Sequence, residues 1–267
     1  MTDTLPPILL VGGGKMGSAM LAGWRELGLS PSVVIDPAPA AMALAGGPVT
    51  VVASADAVPT GFHPGAVVLA VKPQAADAAI PSAIPCFGSA VILSIMAGKT
   101  VAGLHRLVGA DRPVVRAMPN TPAAVRQGIT VGFAGPGVSD SQKSLCDTLL
   151  GAIGAVDWVD DEAMIDPVTA VSGSGPAYVF LLAEIMEKAA IEQGIPARLA
   201  RRLARITVSG SGALLAASQQ DAADLRIAVT SPGGTTQAAL AVLMEEWPDT
   251  MSRAIAAATA RSRELGS

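Results

Sequence analysis

A β-branched strand that runs straight into three glycines and then a helix can belong to few folds. Here Ile8-Leu9-Leu10-Val11 leads into Gly12-Gly13-Gly14-Lys15-Met16-Gly17, the spacing G-x-G-x-x-G. Gly12 permits a tight turn, Gly14 lets backbone approach a pyrophosphate, and Gly17 lets the next helix lie close to the sheet. The helix expected over Ser18–Leu27 would turn its N-terminal N–H groups toward the phosphates. A second strand is expected at Val33–Ile35, closed by Asp36. A carboxylate at that place accepts hydrogen bonds from the adenosine ribose hydroxyls and repels a 2′-phosphate. The residues that follow are Pro37, Ala38 and Pro39, with no cation among them. On this chemistry alone the dinucleotide would be NAD rather than NADP.

The strand pattern continues. Val49–Val52, Val67–Val71, Val91–Ile95 and Val114–Ala117 are short and almost wholly apolar, as strands buried on both faces of a parallel sheet are. Gly128–Phe133 and Val156–Val159 are further strand candidates, with a helix at Gln142–Leu150 between them. Residues 1–160 therefore read as an α/β Rossmann-type parallel-sheet domain. From 161 to 267 the texture is helical. Val179–Gln193 lies between Pro176 and Gly194, which are helix start and stop signals. Ala197–Ala217 carries Arg198, Arg201, Arg202 and Arg205 on one side and Leu199, Leu203 and Ile206 on the other. Ala222–Val229, Thr236–Glu246 and Thr250–Leu265 follow, with Pro248 between the last pair.

Composition removes several classes. With 18 Lys and Arg against 22 Asp and Glu, the chain has no surplus positive charge to track a nucleic-acid backbone. A hydrophobic share of 51% with only 15% charged residues excludes a disordered chain. The uncharged window Ala78–Gly98 invites a membrane reading, but Pro81, Pro85 and Gly88 interrupt it. The N-terminus, with Asp3 and no basic residue before its apolar run, does not read as a secretory leader. Cys86 and Cys146 form no CxxC pair and suit a reducing cytoplasm. His63 and His105 have no partner at ligand spacing, so no metal is expected. The apolar excess would be buried inside the fold or between subunits, and its small side chains suit the close helix contacts of a large subunit interface.

Further strings stand where ligands bind. Ala70-Val71-Lys72-Pro73-Gln74 ends the fourth strand, so Lys72 would sit at the crevice beside a cofactor ribose. Met118-Pro119-Asn120-Thr121-Pro122 follows the sixth, and the Asn120 amide is suited to a nicotinamide carboxamide. Arg116 reads as an ion-pair or carbonyl anchor rather than a catalytic group. Val171-Ser172-Gly173-Ser174-Gly175-Pro176-Ala177-Tyr178 and Thr230-Ser231-Pro232-Gly233-Gly234-Thr235-Thr236 each place hydroxyls and glycines at a helix start. Such residues serve as N-caps, or their N–H groups hold a carboxylate or phosphate.

On these strings, together with Val168–Tyr178 and Val229–Thr236, the chain resembles pyrroline-5-carboxylate reductase over nearly its whole length. The resemblance implies reduction of the cyclic imine 1-pyrroline-5-carboxylate to L-proline by NADH or NADPH. It implies a helical dimerisation domain, a homodimer, and further assembly of dimers. The family's substrate loop falls on Ser231, Gly233, Gly234, Thr235 and Thr236, with Ser174 on the other helix start and Thr236 beside the imine nitrogen. Cofactor contacts would come from Gly12, Gly14, Lys15, Met16, Gly17, Asp36, Ala70, Val71, Lys72, Pro73 and Asn120.

The chain departs from the family pattern at Asp36, where many members carry small polar or basic residues, so NADH is favoured. Ala53-Ser54-Ala55-Asp56 lacks an asparagine often found there, and Met244-Glu245-Glu246-Trp247-Pro248 is poor in glycine. Two other readings compete. A β-hydroxyacid dehydrogenase needs a general base, and the helical half offers only Lys188 among Glu184, Glu187 and Glu192. A non-catalytic dinucleotide sensor gives the two hydroxyl-glycine strings no purpose.

Overall fold

The computed structural model describes residues 4–266; Asp3 lies outside them. The strands are β1 (Ile8–Val11), β2 (Ser32–Ile35), β3 (Val49–Val52), β4 (Ala66–Leu69), β5 (Val91–Ser94), β6 (Val114–Met118), β7 (Gly128–Ala134) and β8 (Gly154–Val159). They form one sheet in the order β3-β2-β1-β4-β5-β6-β7-β8. Helices α1 (Lys15–Glu26), α2 (Ala76–Ala83), α3 (Val101–Val108) and α4 (Asp140–Gly151) connect them. Two apolar clusters fill the two faces: Leu10, Met20, Trp24, Val68 and Leu149 on one, Leu9, Val67, Ile80, Phe87 and Leu104 on the other. Trp24 is fully buried and its indole N–H donates to the Leu149 carbonyl at 2.8 Å.

The sheet is not parallel throughout. Strands β1 to β6 are parallel, β7 runs antiparallel to β6, and β8 runs parallel to β7. The stretch from Met118 to Gly128 is too short for a crossover, which takes a dozen residues or more. It holds a 3-10 turn at Thr121–Val125 and Arg126 in the left-handed region (φ 59), and the chain doubles back. The longer link through α4 restores a parallel pairing with β8.

The helical half comprises α5 (Ile165–Val168), α6 (Gly175–Glu192), α7 (Ala197–Ala217), α8 (Ala222–Ala228) and α9 (Thr235–Gly266). A π-helical segment, Thr169–Gly173, joins α5 to α6. Pro248 does not break the chain into separate helices as its sequence position suggests. Helix α9 runs through it for 32 residues, although the proline removes one N–H from the ladder and its ring crowds the carbonyl four residues back.

Two compact units result, Met1–Gly173 with Ala258–Ser267, and Ser174–Ala257. The sequence texture changes near 160, whereas compactness divides the chain at 173. Residues 162–173 stay with the sheet because polar groups tie them there. Arg116, 4% exposed, reaches Glu162 at 3.0 Å and Asp166 at 3.9 Å. Glu162 Oε1 also accepts from Val101 N–H at 2.7 Å, and Asp166 Oδ1 from Ser262 Oγ at 2.7 Å. The last turns of α9 are thereby held against the sheet unit, where Gly98 (φ +72) leaves room for Leu265.

Candidate active site

The strand order reverses between β1 and β4, and in an open α/β sheet ligands bind outside the carboxyl ends at such a point. Gly12 lies there with φ +102, which an L side chain rarely adopts. Its N–H donates to the Ile35 carbonyl at 2.9 Å, and a Cβ would stand 2.8 Å from the Ala70 carbonyl carbon. A Cβ on Gly17 would overlap the Gly12 carbonyl oxygen. At Gly14, by contrast, a Cβ would meet no atom within 4 Å. Gly14 precedes α1 without a side-chain cap, so the helix's leading N–H groups face that open side. The glycines that touch protein and the one that does not divide as a dinucleotide turn requires, and the residues present fit a pyrophosphate.

Around this turn, Lys15 is exposed at the first helical position, and Met16 is half-buried against one core cluster. Val71 is half-buried against the other, Lys72 is exposed, and Pro73 opens a 3-10 turn, Pro73–Ala75. Asp36 accepts from Gly13 N–H at 2.6 Å through Oδ2 and from Ala38 N–H at 2.8 Å through Oδ1. Each carboxylate oxygen keeps a lone pair for a ribose hydroxyl.

Asn120 has a further task that the sequence did not disclose. Its Oδ1 accepts from Ile129 N–H at 3.0 Å and its Nδ2 donates to the Ser172 carbonyl at 3.1 Å. The amide thus braces the β6–β7 loop against the π-helical segment and retains one N–H. Ser172 Oγ and Thr169 Oγ1 bond carbonyls four residues back, at Val168 and Ile165. Ser174 follows, half-buried, at the start of α6.

In the helical unit, Ser231, Pro232, Gly233 and Gly234 form a tight turn before α9. Gly234 N–H donates to the Ser231 carbonyl at 3.0 Å, Gly233 has φ +70, and a Cβ on Gly234 would overlap Ser231 Oγ. Gly233 N–H donates to Gln237 Oε1 at 2.6 Å. Both glycine amides are therefore engaged inside the turn. Thr235 and Thr236 open the helix and have no carbonyl one turn back within it. Gln237 belongs to no motif, and nothing in the sequence marked it for this contact.

Other ionisable groups are structural. Lys188 pairs with Glu184 at 2.7 Å on an exposed face, and that hydrogen bond holds its ammonium above the usual lysine range. A general base needs the opposite shift. Burial, helped by the Asp147 charge, pushes the Cys146 thiol up to about 12, so it is no nucleophile. His105 Nε2 lies 3.1 Å from the Arg112 carbonyl, and among the described residues no three His, Cys, Asp or Glu side chains gather as a metal set.

A glycine turn at the switch point, an acid closing β2 and a helical unit after the sheet define a nicotinamide-dinucleotide-dependent oxidoreductase. Residues 162–265 match the family model described as pyrroline-5-carboxylate reductase dimerisation, and residues 7–98 one described as NADP oxidoreductase, coenzyme F420-dependent. The pyrroline-5-carboxylate reductase of Pseudomonas aeruginosa is 39% identical, over 97% of each chain. The solved pyrroline-5-carboxylate reductase of Coxiella burnetii matches with TM-score 0.90 and 31% identity over 98% of this chain and 99% of that one. That of Plasmodium falciparum, solved with NADP bound, matches with TM-score 0.83 and 27% identity over 99% of both. The chain belongs to the pyrroline-5-carboxylate reductase family.

Proposed function

We propose that this protein reduces 1-pyrroline-5-carboxylate to L-proline, consuming one NAD(P)H and one proton. The observation that carries the reading is the near-full-length identity to a reductase of that name, joined to the turn that opens α9. When bound, the reduced nicotinamide supplies a hydride to the imine carbon. The chain's contribution is alignment, which in favourable models is worth about 7–11 kcal/mol. The exposed side of Gly14 and the leading N–H groups of α1 hold the pyrophosphate, with Lys15, Met16 and Gly17 beside it. Ala70, Val71, Lys72, Pro73 and the remaining Asn120 N–H border the ribose and nicotinamide. The Thr235 and Thr236 N–H groups, with the Ser231 hydroxyl, take the substrate carboxylate, and Ser174 borders the same pocket. Thr236 Oγ1 donates to the imine nitrogen.

Asp36 favours NADH, because a 2′-phosphate would lie beside a carboxylate already fixed by two backbone N–H groups. A homodimer, in the cytoplasm, is proposed through the matched dimerisation region. The helical stretch Glu162–Glu192 is long and apolar enough to cross a membrane by length and composition. A second copy covering it accounts for the same apolar surface without lipid. Following cofactor absorbance with 1-pyrroline-5-carboxylate tests the reading: proline should form, with kcat/KM higher for NADH than NADPH. Dinucleotide binding without proline formation would refute the activity, and an NADPH preference would refute the role given to Asp36.

A further inference from the structure

A four-residue turn like the one before α9 can take either of two forms, and one side chain bears on which is held. Pro232 occupies its second position and Gly233, at φ +70, its third, which is a type II turn. Types I and II share the bond from the fourth N–H to the first carbonyl and differ by rotation of the central peptide plane. Here that plane is the Pro232–Gly233 peptide, and the bond shared by both types cannot fix it. The Pro-Gly pair itself favours type II, and Gln237 adds the contact that holds the plane there. Its side-chain oxygen accepts from Gly233 N–H at 2.6 Å. The facing atom must be the amide oxygen, since an N–H needs an acceptor, so Nε2 and its two N–H groups point elsewhere.

We propose that Gln237 is the positioning residue of the substrate loop. By locking the central peptide it sets where Ser231 stands relative to the opening N–H groups of α9, and so shapes the cradle for the substrate carboxylate. The inference rests on the substrate-loop reading above. The residue acts through the turn, with no step of the chemistry assigned to it.

Three variants separate the possibilities. Gln237→Leu removes the acceptor at similar volume, and the KM for 1-pyrroline-5-carboxylate should rise roughly three- to tenfold, the loss of about one hydrogen bond. The KM for the cofactor should stay as it was, and amide exchange at Gly233 should quicken. Gln237→Glu keeps an acceptor, so Gly233 should stay protected and kcat near wild type. Its KM should rise through charge repulsion and fall back as salt is added, which Gln237→Leu should not do. Gly233→Ala strains the turn directly and should raise the same KM. If Gly233→Ala raises it and Gln237→Leu leaves both KM and amide exchange unchanged, the role of Gln237 is overturned alone. If Gly233→Ala also leaves KM unchanged, the substrate-loop reading fails and takes this inference with it.

Discussion

A threonine hydroxyl is a poor acid near neutrality, so Thr236 suits the imine nitrogen as a fixed partner: it donates to the neutral imine and accepts from the N–H once solvent has supplied the proton. Thr236→Ala should then lower kcat roughly ten- to a hundredfold, about the worth of one hydrogen bond to a charged partner, while cofactor KM changes little. Steady-state kinetics with both substrates varied measures this, and an unchanged kcat would remove Thr236 from the mechanism. The residues most legible in the sequence were those whose role is steric and local. Gly12 must be glycine because the Ala70 backbone lies against it, and Gly17 because the Gly12 carbonyl does. Asn120 was legible as a crevice amide but not as a brace, since its partners include Ser172, far along the chain. Gln237 was silent for a related reason: a glutamine after two threonines reads as a solvated helix position until the turn beside it is built.

The inner strands β1, β4 and β5, with β2, could be read because each is buried on both faces and therefore nearly uniform in sequence; β3 and β8, at the sheet edges, carry exposed residues. The direction of the strands could not be read. The reversal at β7 follows from the length of its connection, and the end of α9 is held by side chains distant in sequence. Four elements meet at Arg116: β6, which carries it; the start of α3, through Val101; the stretch containing Glu162 and Asp166; and the last turns of α9, through Ser262. One guanidinium serves two carboxylates there, and each carboxylate has a further donor. Arg116→Met keeps most of the volume but removes the cation, leaving both carboxylates facing a largely dry site. Breaking such a pair costs about 3–5 kcal/mol, and partial exposure of Glu162, at 25%, puts the expectation near the lower end. Urea unfolding of the purified variant measures it; a loss under about 1 kcal/mol would show that water replaces the guanidinium.

At the scale of the whole molecule, the two units differ in how they are stabilised. The sheet unit has a core on each face. In the helical unit, α6 and α8 bury no residue, and α7 buries only Ala200 and Ala204. Phe180, Leu181, Ile185, Leu203, Ile206 and Val242 all stand exposed, Phe180 at 67%. Apolar surface on this scale marks an interface, and its match to the family's dimerisation region supports a second copy as its cover. A unit with so little interior of its own should fold only as the dimer forms. Its unfolding would then depend on concentration, because subunits that are not folded alone gain stability by mass action, about 1.4 kcal/mol of dimer, or about 0.7 kcal/mol per chain, for each tenfold rise in protein. For a chain of this size, each kcal/mol moves Tm by about 2–4 °C. Thermal unfolding followed by helical circular dichroism over a hundredfold range of protein should show that rise, with a dimer or larger species in sedimentation at the upper end. A Tm independent of concentration, together with a monomer that keeps its full helical signal, would show that the exposed face of α6 and α7 is stable uncovered and that the dimer assignment is wrong.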